Sequence, residues 1–363
     1  MVIESVDLKN YRNYEILNMN FNQQTNIIYG DNAQGKTNIL ESLYVCATSR
    51  SHKGSKDREM IQFGNEEAHI KMQVKKHDIH YRIDMHLKKN KTKGIAVNGI
   101  PIKRAVELFG IINIVFFSPE DLNIIKNGPS ERRRFMDMEL SQLDKIYLNN
   151  LVHYNKVVNQ RNKLLKDLAF QPTDDKFSTL DIWDLQLVKY GTEVIRGRID
   201  FVREMNSIIG QIHSKLSGGK EKLEIEYNPC VSMEQFFQTV TESRERDIRF
   251  KATGYGPHKD DISFYINGND VRKYGSQGQQ RTAALSLKLA EIVLVKKIIK
   301  DTPVLLLDDV LSELDSNRQQ FLLDSIGGIQ TIVTCTGLDE FVNNQFAVNK
   351  VFKVAGGKVT SEN

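Results

Sequence analysis

The chain has 363 residues, 40% of them hydrophobic, and a formal net charge of +4. That supplies cores for two or three folding units, and too little excess charge to argue for a polyanionic partner by itself. Cys46, Cys230 and Cys335 lie far apart with no Cys-x-x-Cys pair, which argues against a disulfide frame or a zinc site and fits a reducing cytoplasm. No apolar run approaches the roughly 20 residues that span a bilayer, and Glu4 and Asp7 interrupt the start of the chain, so neither a membrane segment nor a secretory leader is expected.

Residues 2–8 read as a strand and 17–21 as its hairpin partner. Arg12, between them, has two readings: a phosphate-facing arginine, or a surface arginine in a turn. Residues 25–29 read as a strand, followed by Gly30-Asp31-Asn32-Ala33-Gln34-Gly35-Lys36-Thr37, which fits Gly-x-x-x-x-Gly-Lys-Ser/Thr. Gly30 and Gly35 admit backbone angles closed to residues with a Cβ, so the N–H groups of Gly30, Asp31, Asn32, Ala33, Gln34 and Gly35 can turn inward on an anion. Lys36 brings a point charge and Thr37 a hydroxyl for Mg²⁺. Residues 38–44 read as a helix whose positive end faces the anion. This is the arrangement that cradles the phosphates of ATP.

Residues 66–104 alternate as half-buried strands. Ala68, Ile70, Met72 and Val74 form one apolar face, and Ile79, Tyr81, Ile83, Met85 and Leu87 another. The polar positions are basic: Lys71, Lys75, Lys76, Arg82, Lys88, Lys89, Lys91, Lys93, Lys103 and Arg104, opposed by Asp78 and Asp84. They make either a solvated sheet face or, through Lys71, Lys75, Lys76, Lys88, Lys89, Lys91 and Lys93, a cationic surface for DNA. Residues 111–117 read as a buried strand. In Gly128-Pro129-Ser130-Glu131-Arg132-Arg133-Arg134, Ser130 is the expected helix cap. Three arginines oppose the dipole of a helix start, so they require a polyanion or an acidic neighbouring surface.

Residues 141–217 carry heptad spacing with a break at 171–175 and a stop at Ser217-Gly218-Gly219. This predicts an antiparallel helical hairpin, packed on itself, with a second arm of about 50 Å. Beyond it, 223–227 reads as a strand, 233–251 as one helix and 262–266 as a strand, with His258 a structural histidine near a tight turn.

Residues 303–309 are an apolar strand ending in Asp308 and Asp309, at the carboxyl end where open parallel sheets bind ligands. Asp308 is assigned to Mg²⁺ and Asp309 to the attacking water, with Lys36 the other catalytic residue. The long separation of Thr37 from Asp308 requires an α/β head assembled from both ends of the chain, with the middle inserted. That is the ABC-type ATPase arrangement. Tyr274-Gly275-Ser276-Gln277-Gly278-Gln279-Gln280-Arg281 supports it: the segment resembles the Leu-Ser-Gly-Gly-Gln signature, with Gln277 where glycine is usual, and it opens a helix over 282–297. Ser276, Gly278 and Gln279 would then contact the triphosphate of a second copy. Ser312-Glu313-Leu314-Asp315 resembles the D-loop. Thr336, after a strand at 331–336, stands where transporters carry a histidine. The expected segments are an N-terminal ATPase lobe with the basic β region (1–128), a helical hairpin (129–220) and a C-terminal ATPase lobe (221–363).

The ordered set of Leu8 to Tyr14, Gly30 to Glu41, Phe117 to Leu122, Pro129 to Arg134, Gly256 to Asp261, Ser276 to Arg281 and Leu307 to Asp315 spans the chain and resembles the RecF family of bacterial recombination mediators, in the structural-maintenance-of-chromosomes group. Lys259 departs from its usual arginine. The resemblance implies a cytoplasmic ATP-driven homodimer on single-stranded, gapped or junction DNA. It also implies slow, DNA-stimulated hydrolysis, partnership with RecR and RecO in loading RecA, and support of the SOS response. Rival readings are a transporter's nucleotide-binding subunit, which would want the signature intact and the histidine, and a structural clamp without turnover. An overcoming-lysogenization-type nuclease would need a C-terminal catalytic domain that about 50 residues after Asp309 are too few to form.

Overall fold

The computed structural model describes residues 1–338 and 348–362. They form two compact units, one of Met1–Asp121 with Lys288–Asn363, the other of Leu122–Leu287.

The first unit opens with β1 (Val2–Tyr11) and β2 (Tyr14–Asn20), a hairpin in which Leu8 faces Leu17. Next come β3 (Thr25–Tyr29), α1 (Lys36–Thr48), β4 (Glu67–Lys76), β5 (Ile79–Lys88), β6 (Gly94–Val97), β7 (Ile100–Pro101) and β8 (Ile114–Phe117). An antiparallel sheet runs in the order β2-β1-β4-β5-β6-β7. Its inward face is the expected alternation: Ala68, Ile70, Met72 and Val74 on β4 and Ile83, Met85 and Leu87 on β5 are buried, whereas Ile79, at the turn, is exposed. The turns at His77-Asp78 and Asn98-Gly99 take positive φ at both residues, as tight hairpins demand. Strand β8 is shorter than the apolar run 111–117 predicts.

The second unit contains α2 (Leu122–Lys126), α3 (Pro129–Leu143), α4 (Lys145–Phe170), α5 (Asp174–Leu216), β9 (Leu223–Asn228), α6 (Phe236–Glu242), α7 (Arg244–Phe250), β10 (Asp261–Ile266), β11 (Asn269–Asp270) and α8 (Val271–Tyr274). Helix α9 (Gln277–Ile299) begins in this unit and ends in the first. Gly128 is the N-cap of α3, with Pro129 at the first helical position, so Ser130 lies inside the first turn rather than capping it; proline's fixed φ suits that position. The arginines that follow find partners within the unit. Arg132 grips Asp261 with both arms of its fork, at 2.6 and 2.8 Å, and Arg133 donates to the Asp260 carbonyl at 2.7 Å.

The α4–α5 hairpin is longer than expected, because α5 has 43 residues, about 64 Å at 1.5 Å per residue. Its interior is not purely apolar. Fully buried Arg161 donates to Asp184 at 2.7 Å and Asp247 at 2.6 Å, and Arg198 to Asp137 at 2.8 Å and the Pro257 carbonyl at 2.6 Å. Such pairs recover little net stability after desolvation, but breaking one strands a buried charge. The predicted helix 233–251 is two helices, divided at Ser243. The segment 221–287 packs with the hairpin rather than forming one lobe with the C-terminus: Asn206 of α5 exchanges two hydrogen bonds with Ile225 of β9, at 2.6 and 2.8 Å. The sequence-based boundary at 220/221 therefore falls inside a unit.

The chain returns to the first unit with β12 (Val304–Asp308), α10 (Ser316–Ser325), β13 (Thr331–Cys335), β14 (Lys350–Ala355) and β15 (Lys358–Glu362). These complete a second sheet, ordered β15-β14-β3-β13-β12-β8, parallel except for β15. Strands β12 and β13 are buried throughout, as continuous apolar runs in a parallel sheet should be. Both ends of the chain thus contribute neighbouring strands, and β3, β13 and β12 end on one edge. Among the described residues no helix is long and apolar enough to cross a membrane.

Candidate nucleotide site

The loop from Gly30 to Gly35 joins the end of β3 to α1. Gly30 has φ 151° and Gly35 φ 110°; a Cβ on Gly30 would lie 2.2 Å from the Val354 carbonyl oxygen, and one on Gly35 2.4 Å from the Asn13 amide. Glycine is required at both positions for angle and space alike. Ala33 also has positive φ, at 63°. The Lys36 ammonium spans the loop, donating to the Gly30 carbonyl at 2.6 Å and the Asp31 carbonyl at 3.0 Å. Gln34 is held from two sides: its carbonyl accepts from Asn13 at 3.0 Å, and its side-chain oxygen accepts from the Gly356 N–H at 2.6 Å. Asn13 also accepts from the Asn38 amide at 2.8 Å. Asn13 is a clamp that the sequence reading passed over, although it lies in the Leu8–Tyr14 run.

The Thr37 hydroxyl donates to Asp308 Oδ1 at 2.9 Å, and the Thr334 hydroxyl donates to the same oxygen at 2.7 Å. The topology explains the convergence. Strand β13 lies between β3 and β12, so its Thr334 bridges what the sequence separates. Burial raises the Asp308 carboxyl above its ordinary value, against the opposing hydrogen bonds from Thr334 and Thr37 and the charge of Lys53. Thr334 is thus a further residue at this cluster, revealed only by its position in the fold. The oxygen donors of Thr37 and Asp308 suit a hard cation such as Mg²⁺.

Asp309 follows in a left-handed conformation, φ 54°, with its N–H donating to the Thr334 carbonyl at 3.2 Å and hydroxyl at 3.1 Å. A non-glycine residue so held costs about 1–3 kcal/mol, which the surrounding sheet must over-determine.

Arg12 lies in the turn between β1 and β2, as one of its two readings has it, but its side chain is tied down rather than free. Its Nε and Nη2 donate to the two carboxylate oxygens of buried Glu41 on α1, each at 2.7 Å, and Nη1 donates to the Glu59 carbonyl at 2.7 Å. Burial pushes the Glu41 carboxyl up, but hydrogen bonds from Arg12 and Ser51 outweigh it and hold the group below its ordinary value. Arg12 therefore braces the helix that the loop opens through Glu41 and ties it to the segment around Ser55 and Glu59.

Ser276 caps α9. Its N–H donates to Gln279 Oε1 at 2.9 Å while its Oγ accepts from the Gln279 N–H at 3.2 Å, a reciprocal capping box. The Gln279 amide is engaged on its other side too, donating to Glu221 at 2.8 Å, and Glu221 meets Nε2 of buried His213 on α5 at 3.1 Å. Gln279 is thus a support, whereas Ser276 and Gly278 are exposed. The D-loop-like segment forms a short turn, and Asp315 caps α10 by accepting from the Arg318 N–H at 3.0 Å.

The basic strands are less cationic than their composition suggests. Lys71 pairs with Asp7, Lys75 with Asp78, Lys89 with Glu66 and Lys93 with Asp57, at 2.9–3.4 Å, and Lys76 donates to the Gly110 carbonyl. Lys88 and Lys91 have no such partner among the described residues. His258 is structural as expected: it meets the Tyr154 hydroxyl at 2.6 Å and the Thr253 carbonyl at 3.0 Å, and burial lowers its pKa to about 4.

Residues 2–360 match the family model described as RecF/RecN/SMC N terminal domain. A DNA replication and repair protein RecF from Lachnospira eligens is 72% identical over 363 residues, covering 100% of both chains. The chain belongs to the RecF family. A second RecF, from Lachnoclostridium phytofermentans, is 62% identical over 359 residues, with 99% of each chain covered. Among solved structures, one described as the recombination mediator protein RecF-ATP in the RecFOR pathway superposes with a TM-score of 0.93 at 35% identity, covering 99% of this chain and 97% of that one. An Smc head domain from Pyrococcus furiosus gives a TM-score of 0.57 at 18% identity, covering 99% and 96%, and shares the fold. The ABC-type ATPase head expected from the sequence is the fold of this RecF-family chain.

Proposed function

We propose that this RecF-family chain binds ATP between two copies of itself and uses that dimer to hold single-stranded, gapped or junction DNA during recombinational repair and replication restart, with slow hydrolysis resetting it. The observation that carries the reading is the convergence of Thr37, Thr334 and Asp308 beneath a glycine-shaped loop bearing Lys36. In this reading the loop N–H groups from Gly30 to Gly35 and Lys36 bind the phosphates. Thr37 and Asp308 would hold Mg²⁺, which supplies charge neutralisation for the β and γ phosphates. Asp309 orients the attacking water and takes its proton; its side chain is one methylene shorter than glutamate's, in keeping with slow turnover. Ser276 and Gly278 present an exposed hydroxyl and N–H to the partner's triphosphate, with Gln279 and Glu221 fixing the turn. Arg12 supports the loop through Glu41 on α1, beside the phosphates.

The relatives' names support work in DNA replication and repair, and the RecFOR pathway of the solved relatives is in keeping with RecO and RecR as partners; RecA loading, support of the SOS response and a cytoplasmic site of action belong to the same proposal. The unpaired Lys88 and Lys91 are the first DNA contacts to test, ahead of Lys71, Lys75, Lys76, Lys89 and Lys93. DNA affinity measured against salt is expected to fall with a log–log slope of about −0.9 per neutralised phosphate on duplex. Lys88→Ala with Lys91→Ala should flatten the slope by up to about two contacts' worth. An unchanged slope would take the β-sheet surface out of the DNA interface.

A further inference from the structure

Strands β4 and β5 carry a second candidate ligand set, outside the nucleotide site. Glu67 and His69 are two residues apart on β4, so they share its outward face. His86 of β5 stands opposite His69 in the antiparallel register, and its ring stacks on that of His69 with centroids 4.0 Å apart and an interplanar angle of 24°. Both Nε2 atoms point to one carboxylate: His86 Nε2 is 2.7 Å from Glu67 Oε2, and His69 Nε2 is 3.7 Å from Glu67 Oε1. One ligand atom from each of the three residues lies within 4.8 Å of the others.

We propose that Glu67, His69 and His86 form a binding site for a zinc-class divalent ion. A tetrahedral zinc site with nitrogen and oxygen ligands at about 2.0–2.2 Å places those ligands roughly 3.3 Å apart. The two imidazole-to-carboxylate separations, 2.7 and 3.7 Å, bracket that value, and the stacked rings must rotate apart so that both Nε2 lone pairs meet one ion, a movement their partial exposure allows. Two imidazoles with one carboxylate select borderline ions such as Zn²⁺, Co²⁺ or Ni²⁺ over Mg²⁺ and Ca²⁺, which prefer oxygen. Lys9 of β1 stands opposite His69, and Lys88 opposite Glu67; their charge weakens the hold on every dication alike, so the selection rests on the two imidazoles. Lys71, paired with Asp7, and Asp84, paired with Arg82, stand opposite each other next along the same face. On the far side, Gly94 of β6 faces His86 with no side chain, leaving that flank open for a water as fourth ligand.

The test is titration of the full chain with Zn²⁺ by calorimetry, nucleotide-free, in excess Mg²⁺ to occupy carboxylate sites, with Co²⁺ absorption as the second readout. One ion per chain is expected, with the visible bands of a tetrahedral Co²⁺ centre. His69→Gln and His86→Gln should each weaken binding at least tenfold and the pair should abolish it, while melting temperatures in chelator stay unchanged because the residues face outward. No saturable binding, or equal affinity in the wild type and the double variant, overturns the proposal; the latter places the ion elsewhere.

Discussion

The glycine loop and the Ser276 turn belong to the same proposed chemistry and are built in opposite ways. The loop is enclosed and over-determined: Val354 and Asn13 leave no room for a Cβ at Gly30 or Gly35, Lys36 is tied to two carbonyls, and Asp308 is buried beneath two hydroxyls. The Ser276 turn is exposed, and its order comes from one capping box and the Gln279–Glu221–His213 chain behind it. A preorganised cradle can hold an anion alone. An exposed pair of donors at a helix start needs a second surface to complete it. The contrast predicts that damage to the first should abolish nucleotide binding, whereas damage to the second should spare binding and remove association.

The largest effect is expected at Lys36. Lys36→Ala should weaken ATP binding by the single chain about 100-fold, the scale of one or two charge-assisted hydrogen bonds, by calorimetry. Retention of wild-type affinity would break the comparison at its first term.

A second difference concerns acid. His258, in the unit that holds the Ser276 turn, has a folded pKa of about 4 against an ordinary 6.5, lowered by burial. The unfolded chain therefore binds the extra proton first. The stability that neutral His258 contributes is complete above pH 6.5 and is lost as pH falls toward 4, by up to about 3 kcal/mol before allowance for partial exposure. Glu41, in the unit that holds the loop, has its carboxyl lowered, so its contribution is complete above the ordinary carboxylate range and is lost only as pH falls through and below it. Hydrogen exchange between pH 7 and 5 should show residues 122–287 loosening first. His258→Asn should remove most of that pH dependence; loosening that begins around α1 would reverse the assignment.

The smallest expected effect is at Glu221. Glu221→Ala should weaken ATP-dependent dimerisation several-fold without changing ATP binding by the single chain, and Glu221→Gln should restore it, because a glutamine oxygen still accepts from Gln279. Failure of that rescue would leave Glu221 a purely structural residue.

Much of this was legible in the sequence where one local rule decides the outcome. The runs 25–29, 303–309 and 331–336 became β3, β12 and β13 because continuous apolar stretches between turn signals have few alternatives. The phosphate loop is readable because glycine spacing encodes backbone angles directly. What stayed hidden depends on partners distant along the chain. Arg12 reads as a free cation until α1 brings Glu41 against it. Lys71 of β4 and Lys89 and Lys93 after β5 read as part of a charged patch until Asp7, Glu66 and Asp57 meet them. Arg161 fell on the apolar stripe of α4, and only the fold supplies Asp184 and Asp247. Thr334 entered the Asp308 cluster because strand order differs from chain order.

The central claim is that one ATP is gripped by the loop of one chain and the Ser276 turn of another. Sedimentation of Ser276→Arg with saturating ATP tests it most directly, alongside calorimetry of the same variant. The account predicts wild-type ATP affinity for the single chain and no dimer. A dimer of undiminished strength, or loss of ATP binding equal to the loss of association, would contradict it.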